Sequence, residues 1–530
     1  MTVLDTLNNI KIHTRNSGMK LNKLLVLCLA FLALFQFTPS SLGFALLGPY
    51  ESWMEQTNGF RQPSDIGGPM DIGSGYRWNV PVVTYGFDQS FLNFFGTNGV
   101  AAVEGAIQII NDLPPASSIV LTNYPLDTEQ FNSQAEAQNL YDLKSETLAL
   151  LVEQLGLAQP VRYIFALRQW NPIFLYFARE YDWPDGTIPN DIVMRNFDPE
   201  TLTPSQYVNG AFYEGIVISE IIGGIMNVAY VISVDPLVPD TAVADNGLNN
   251  LLFPTGFLNP GECFTGLTED DVGGLCYLLS TNNIAYETLL PGISGTGTNV
   301  NSFVNGAWRP GIDKITFVPQ PFDSMSGQFL PMTNQFTDTY ITNGNVVQQQ
   351  LQRVITQPDF LFCAADVNYG LPLVPYVDRT GTTNWINNAA LNGNLTNGGP
   401  GVIQPQVKIK FNKLGHQFET FNGQSVRAFP VYWGLFDDST NPPVTFPAPQ
   451  IGTNQFTIRM WLTMGNPPNR FQKNFDWSLT NSTGSISFFQ TSTNLTDWVT
   501  IFSATNDGSV CTYFDDDPSN ASCFYRLVPQ

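Results

Sequence analysis

Apolar positions along this chain fall into stretches of period two and stretches of period 3.6, punctuated by proline and glycine. The run from Val80 to Phe87 is β-branched and aromatic and predicts a strand. Val100, Val103, Ile107 and Ile110 then share one helix face, with Thr97 or Asn98 as cap and Pro114-Pro115 as terminator. Ser117 to Thr122 reads as a second strand. Leu140, Leu143, Leu148, Leu151 and Leu155 mark a second helix, with Gly156 placed as a left-handed cap and Pro160 just beyond. A third helix opens at Thr268, where Asp271 can close a capping box and Leu267 can staple onto Val272. Val272, Leu275, Cys276 and Leu279 form its apolar face.

Between the second and third helices the pattern is extended, with turns expected at Asn190-Asp191, Asn209-Gly210 and Asn246-Gly247. Gly215 to Val234 has the hydropathy of a membrane span. Its Glu220, Asn227, Gly223-Gly224 pair and Ile/Val content instead predict two buried strands joined by a tight turn. From about Gly295 short apolar runs alternate with Asn/Gly turns, as from Lys314 to Val318, Gln406 to Phe411 and Phe429 to Phe436. Ser294 to Asn299 and Pro442 to Pro449 read as linkers, and five short strands between Phe456 and Leu527 predict a small sandwich.

A chain of 530 residues exceeds one hydrophobic core. The expected fold class is multi-domain, α+β and all-β. Its parts are a leader over 1–45, an α+β domain over 46–294 with a β-rich insertion, a β-rich domain over 295–445, and a C-terminal β-sandwich module over 446–530.

The leader changes the picture from fold to compartment. Lys20 and Lys23 precede an apolar run from Leu24 to Phe37, about 14 residues, short of the roughly 20 that span a bilayer. Small residues Gly43 and Ala45 follow at the spacing a signal peptidase reads. Cleavage after Ala45 is expected, with Leu46 first in the mature chain; Met19, just before Lys20, offers a second start. The expected location is secreted, periplasmic or cell-surface, with no transmembrane segment once the signal is gone. A net charge of -22 excludes nucleic acid as a partner, because phosphate neutralisation needs Lys and Arg. Charged residues make up only 13%, so polar character rests on Asn, Thr and Gly, a balance that suits turn-rich extracellular β structure.

Export makes disulfides relevant. Cys511 and Cys523 flank an acidic turn from Asp515 to Asn520, and a bridge there is expected to contribute about 3 kcal/mol. Cys263 and Cys276 have a similar spacing and form a second expected bridge, against the alternative of a thiol packed on the helix face. Cys363 is left over and reads as a buried thiol.

Two stretches carry family resemblances. Val82-Val83-Thr84-Tyr85 followed by an amphipathic helix, Leu155-Gly156-Leu157, and Leu267-Thr268-Glu269-Asp270-Asp271-Val272-Gly273-Gly274-Leu275 together resemble a matrixin-type metzincin domain. The likeness covers about 200 residues and implies a zinc-protease frame. The family's His, Glu, His, Gly and His positions hold Ala149, Leu150, Glu153, Gly156 and Gln159, so only the glycine matches. Ser492 to Trp498, Asp515-Asp516-Asp517 and Cys523 to Leu527 resemble the C-terminal β-modules of large secreted verrucomicrobial and planctomycete proteins, which implies export without implying a reaction.

Zinc catalysis needs three protein ligands and an open position, and the chain has two histidines, His13 and His416, the first of them in the leader. No nucleophile elbow accompanies His416. Asp437-Asp438 reads as a solvated turn, and Asp515, Asp517 and Ser519 lack the remaining ligands of a calcium loop. Asn394, Asn481, Asn494 and Asn520 head acceptor sequons. The expectation is a chain with no catalytic, cofactor or metal residues: an exported envelope or extracellular protein, structural or contacting polymers or envelope proteins. The rival is a secreted polysaccharide hydrolase whose carboxylates meet only in the fold.

Overall fold

The computed structural model describes residues 42–61, 65–73, 76–169, 191–221, 225–234, 242–245, 258–297, 300, 302–323, 325–365, 377–378, 384–386, 402–413, 432–446 and stretches of 455–529 that hold six strands. His13, His416, Cys523, residues 516–520 of the acidic turn and the four sequon asparagines lie outside them. In the N-terminal half the main elements are β1 (Phe44–Gly48), β2 (Val82–Phe87), α1 (Gln89–Asp112), α2 (Leu143–Gln154) and α3 (Glu269–Leu279). There follow β3 (Ala285–Thr288), β4 (Ile293–Gly295), β5 (Gly306–Arg309), β6 (Thr316–Pro319), β7 (Met332–Thr342), β8 (Asn345–Ile355), β9 (Phe360–Ala365) and β10 (Val407–Asn412). The chain is mixed, with more strand than helix.

The helices form where the apolar stripes place them. Asp88 caps α1 by accepting from Phe91 N, and Gly96, at φ 60°, breaks the helix just ahead of the expected cap at Thr97 or Asn98. Ala102, Val103, Ala106, Ile107 and Ile110 are buried on one face of α1, which packs on α2. Asp142 caps α2 through Ser145 N at 2.8 Å, leaving Leu140 ahead of the helix. Gly156 ends it at φ 117°, where a Cβ would stand 2.2 Å from Tyr76 O, so no other residue fits. Thr268 and Asp271 form the capping box of α3. The strand expected over Ser117 to Thr122 is instead two short 3-10 turns, Ala116–Ser118 and Leu121–Asn123. The Asp313 carboxylate accepts from Ser117 N and Oγ there, which curls the backbone.

The central sheet has the order β6-β2-β9-β10, with Val377–Asp378 on its far edge. β2 runs parallel to both β6 and β9. Residues 82–87 and 360–365 therefore share one sheet, across the division expected at 294/295. The linker expected at Ser294 begins inside β4, which pairs with β8. The second expected linker contains the strand Val444–Phe446, which pairs with Trp433–Leu435, itself parallel to Tyr141–Asp142. A common core runs through these parts, from Leu46 and Val83 to Leu351, Phe362 and Phe411.

Ala211–Ile221 and Ile225–Ser233 form the hairpin read from the Ile/Val run. No helix among the described residues is long and apolar enough to cross a membrane. In the C-terminal part Gln455–Met464 lies between Phe471–Thr480 and Val510–Asp515, and Ile486–Ser492 between Val499–Thr505 and Phe524–Pro529. That makes two three-stranded sheets, with one more strand than expected.

Cys263 and Cys276 are separate thiols, not the expected bridge. Cys263 packs with Ala135, Leu140 and Phe436, while Cys276 donates to Ala116 O on another side of the fold. Cys511 lies in the described strand Val510–Asp515, but its expected partner Cys523 is outside the described residues.

Candidate binding surface

Five antiparallel strands in the order β3-β5-β7-β8-β4 form a sheet with two unlike faces. Glu287, Arg309, Asp338 and Arg353 are the charged residues of these five strands, and all four are buried on one face. The register explains why they coincide: Asp338 opposes Gln349 and Asn334 opposes Arg353, so their side chains share a side. Arg77, from the segment before β2, reaches Glu287 at 2.6 Å. Arg309 grips Asp338 with two bonds of 2.9 and 3.0 Å and also donates to Glu287 O. Arg353 pairs with Asp359, whose carboxylate also accepts from Thr84 N on β2. Three cations thus meet three anions, and the ladder ties the sheet to the central one. Burial raises the carboxyl of Glu287, with Arg77 opposing the shift. Gln349 completes the layer by donating to Asp338 at 2.7 Å.

The opposite face carries no charged residue on any of the five strands. One column is Thr333, Gln335, Thr337, Thr339 and Ile341 on β7; it faces Val354, Gln352, Gln350, Gln348 and Val346 on β8. Gln350 Nε2 donates to Thr337 Oγ1 at 2.9 Å, and Gln352 Nε2 reaches Ser294 Oγ on β4 at 3.3 Å. Trp308 opposes Ile341 on one side and Tyr286 on the other, so Tyr286, Trp308, Ile341 and Val346 make one apolar row across four strands. The two rings meet edge to face at 5.7 Å. Trp308 is 50% exposed and Val346 69%. At ~3.4 Å per residue the β7–β8 columns run about 27 Å, with β5 and β3 flanking the Ile341 end and β4 the opposite end. A bar of rings and aliphatic groups therefore borders a field of amides and hydroxyls, each able both to donate and to accept.

The sequence reading did not single out this hairpin. Its alternation is not apolar against polar: the inward positions include Asn334, Asp338, Gln349 and Arg353, and the outward ones are mostly Thr and Gln. Asn343-Gly344, both at positive φ between β7 and β8, was the available cue.

The positions matched to the metzincin motif lie elsewhere and are filled. Ala149, Leu150, Glu153 and Gln159 are all buried. Gln159 Oε1 accepts from Arg162, whose guanidinium holds Asp65 with two bonds of 2.6 and 2.9 Å. A second cation beside Gln159 would face that guanidinium. Among the described residues no three His, Cys, Asp or Glu side chains gather as a metal site. Burial pushes the thiols of Cys263 and Cys363 up to about 12, far from a nucleophile's range. Asp437 sits in an exposed turn, with its carboxyl held low by Ser439. A cavity lined by Ile110, Leu113, Leu155, Leu275 and Leu279 has no carboxylate in its wall.

Compared with protein-family models, with curated proteins and with solved structures, the chain matches none.

Proposed function

We propose that this is an exported, non-catalytic protein of the envelope or extracellular space, which holds a neutral polysaccharide on the uncharged face of the five-stranded sheet. The single observation behind this reading is the sorting of charge: a chain of net charge -22 keeps every charge of these five strands on their buried side. An anionic polymer would be repelled by the rest of the molecule, and a cationic one would find no counter-charge here. A neutral, hydroxyl-rich chain matches amides and hydroxyls that serve as donor or acceptor without reorientation of a charge. Trp308 supplies an amphipathic ring on which the C–H face of a sugar can rest. The metzincin likeness, on this reading, is a frame reused without its metal.

The test is affinity electrophoresis through gels loaded with neutral or acidic polysaccharides, with released reducing ends measured on the same polymers. Retention by at least one neutral polysaccharide, with no reducing ends released, supports the proposal. Release of reducing ends would favour the hydrolase reading, and retention by acidic polymers alone would overturn the charge argument.

A further inference from the structure

We infer that processing of the leader falls upstream of Leu42, at Ser40–Ser41, and that residues 42–45 are a permanent part of the folded protein. The argument starts from β1. The Ala45–Leu46 bond, expected as the cleavage point, lies within that strand. Ala45 pairs with Ala158 and Asn196, and Phe44 pairs with Phe197, so the first two residues of β1 hold two other segments of chain. Phe44 and Ala45 are buried at 2% and 0% exposure. Phe44 also packs its ring on Tyr277 of α3 at 5.4 Å.

The two residues before the strand are fitted as closely. Gly43 N donates to the fully buried Asp270 carboxylate at 2.9 Å, one of its two backbone donors alongside Asn209 N. A Cβ on Gly43 would stand 2.2 Å from Tyr207 O and from the Asn196 side chain. Leu42 O accepts from the buried Ser205 hydroxyl at 2.6 Å. Removing residues 42–45 would open the sheet, strip a donor from a buried carboxylate and leave a hole beside Tyr277. Gly43 is thus small because the fold demands it, rather than because a peptidase reads it. With that glycine assigned to the fold, the small pair Thr38 and Ser40 takes the two recognition positions, directly after the apolar run that ends at Phe37.

The cleavage claim rests on the export reading; the structural claim about residues 42–45 does not, and two experiments separate them. N-terminal sequencing of the protein from its native host is expected to find Ser41 as the first residue. Any other first residue, or retention of residues 20–37, would overturn the cleavage site. Independently, chains made to start at Ser41 and at Leu46 behind an unrelated cleavable leader are compared by thermal unfolding, together with Gly43→Val in the Ser41 chain. The Leu46 chain and the Gly43→Val chain are each expected to lose about 5 °C or more, or to fail to fold. Equal midpoints for all three would show that residues 42–45 are dispensable and sink the structural claim.

Discussion

The two faces of one five-stranded sheet are built by opposite rules. The inner face gathers Glu287, Arg309, Asp338 and Arg353, with Arg77 and Asp359 as their outside partners, in a layer closed to water. The outer face meets water with threonine, glutamine, isoleucine, valine and a tryptophan. Ordinary antiparallel sheets do the reverse, apolar inside and charged outside. The difference teaches what each face is for. Buried pairs contribute little net stability over an apolar core, but Arg77 and Arg309 each bind several backbone carbonyls and so fix geometry. Arg309 alone donates to Glu287 O, Asn305 O and Val304 O. An outer face that carries no charge is then held in place by an inner face that does.

The largest effect is expected from breaking the inner face. Arg309→Met leaves the Asp338 carboxylate buried beside Gln349 only, and should cost about 3–5 kcal/mol. Arg309→Met with Asp338→Leu should recover most of that loss. Urea unfolding of the two variants checks it, and a double variant no better than the single one would show that the backbone bonds of Arg309, rather than its charge pairing, carry the loss.

Proton linkage comes next in size and separates the buried carboxyls from the platform. Burial raises Asp142, the cap of α2, to about 6, against 3.8 for the exposed group. The folded state therefore binds more protons than the unfolded one between those values, and stability falls as pH rises through that window, then levels off. For Asp142 the loss is about 3 kcal/mol. Asp270, Asp271 and Glu287 are shifted in the same direction by the same cause. Asp142→Asn keeps a good cap, so its stability relative to wild type should improve by that amount between pH 3.8 and 6. A constant difference across that range would contradict the assignment. Polysaccharide retention, coming from a face without carboxylates or basic groups, should stay flat across that window where the fold is intact.

On the outer face the expected changes are in affinity, with stability nearly untouched. Trp308→Ala should weaken neutral-polysaccharide binding about tenfold while costing about 1 kcal/mol or less of stability. Gln350→Glu should weaken it several-fold and shift stability by about 0.5 kcal/mol or less. Binding titrations paired with thermal unfolding distinguish these outcomes from general damage.

What the sequence disclosed follows from which interactions are local. The cap at Thr268, the left-handed Gly156 and the Asn209-Gly210 turn depend on neighbours within a few residues, and each is where the pattern placed it. The hairpin over 211–233 was legible from its Ile/Val content. The pairing of β2 with β6 and β9 was not, since parallel partners more than 200 residues away leave no local trace. The Arg162–Asp65 pair, 97 positions apart, is hidden for the same reason. The candidate surface escaped because its alternation is polar against charged, which a search for apolar periodicity passes over. Cys263 and Cys276 misled because spacing alone says nothing about which way two side chains point.

The most direct test of the central claim is a titration with a neutral polysaccharide that retains the wild-type protein, repeated on Trp308→Ala/Gln335→Ala/Gln350→Ala. The account predicts that binding by the triple variant falls by at least about a hundredfold, with a thermal midpoint within about 3 °C of wild type. Undiminished binding by a folded triple variant would place the polysaccharide elsewhere and contradict the account.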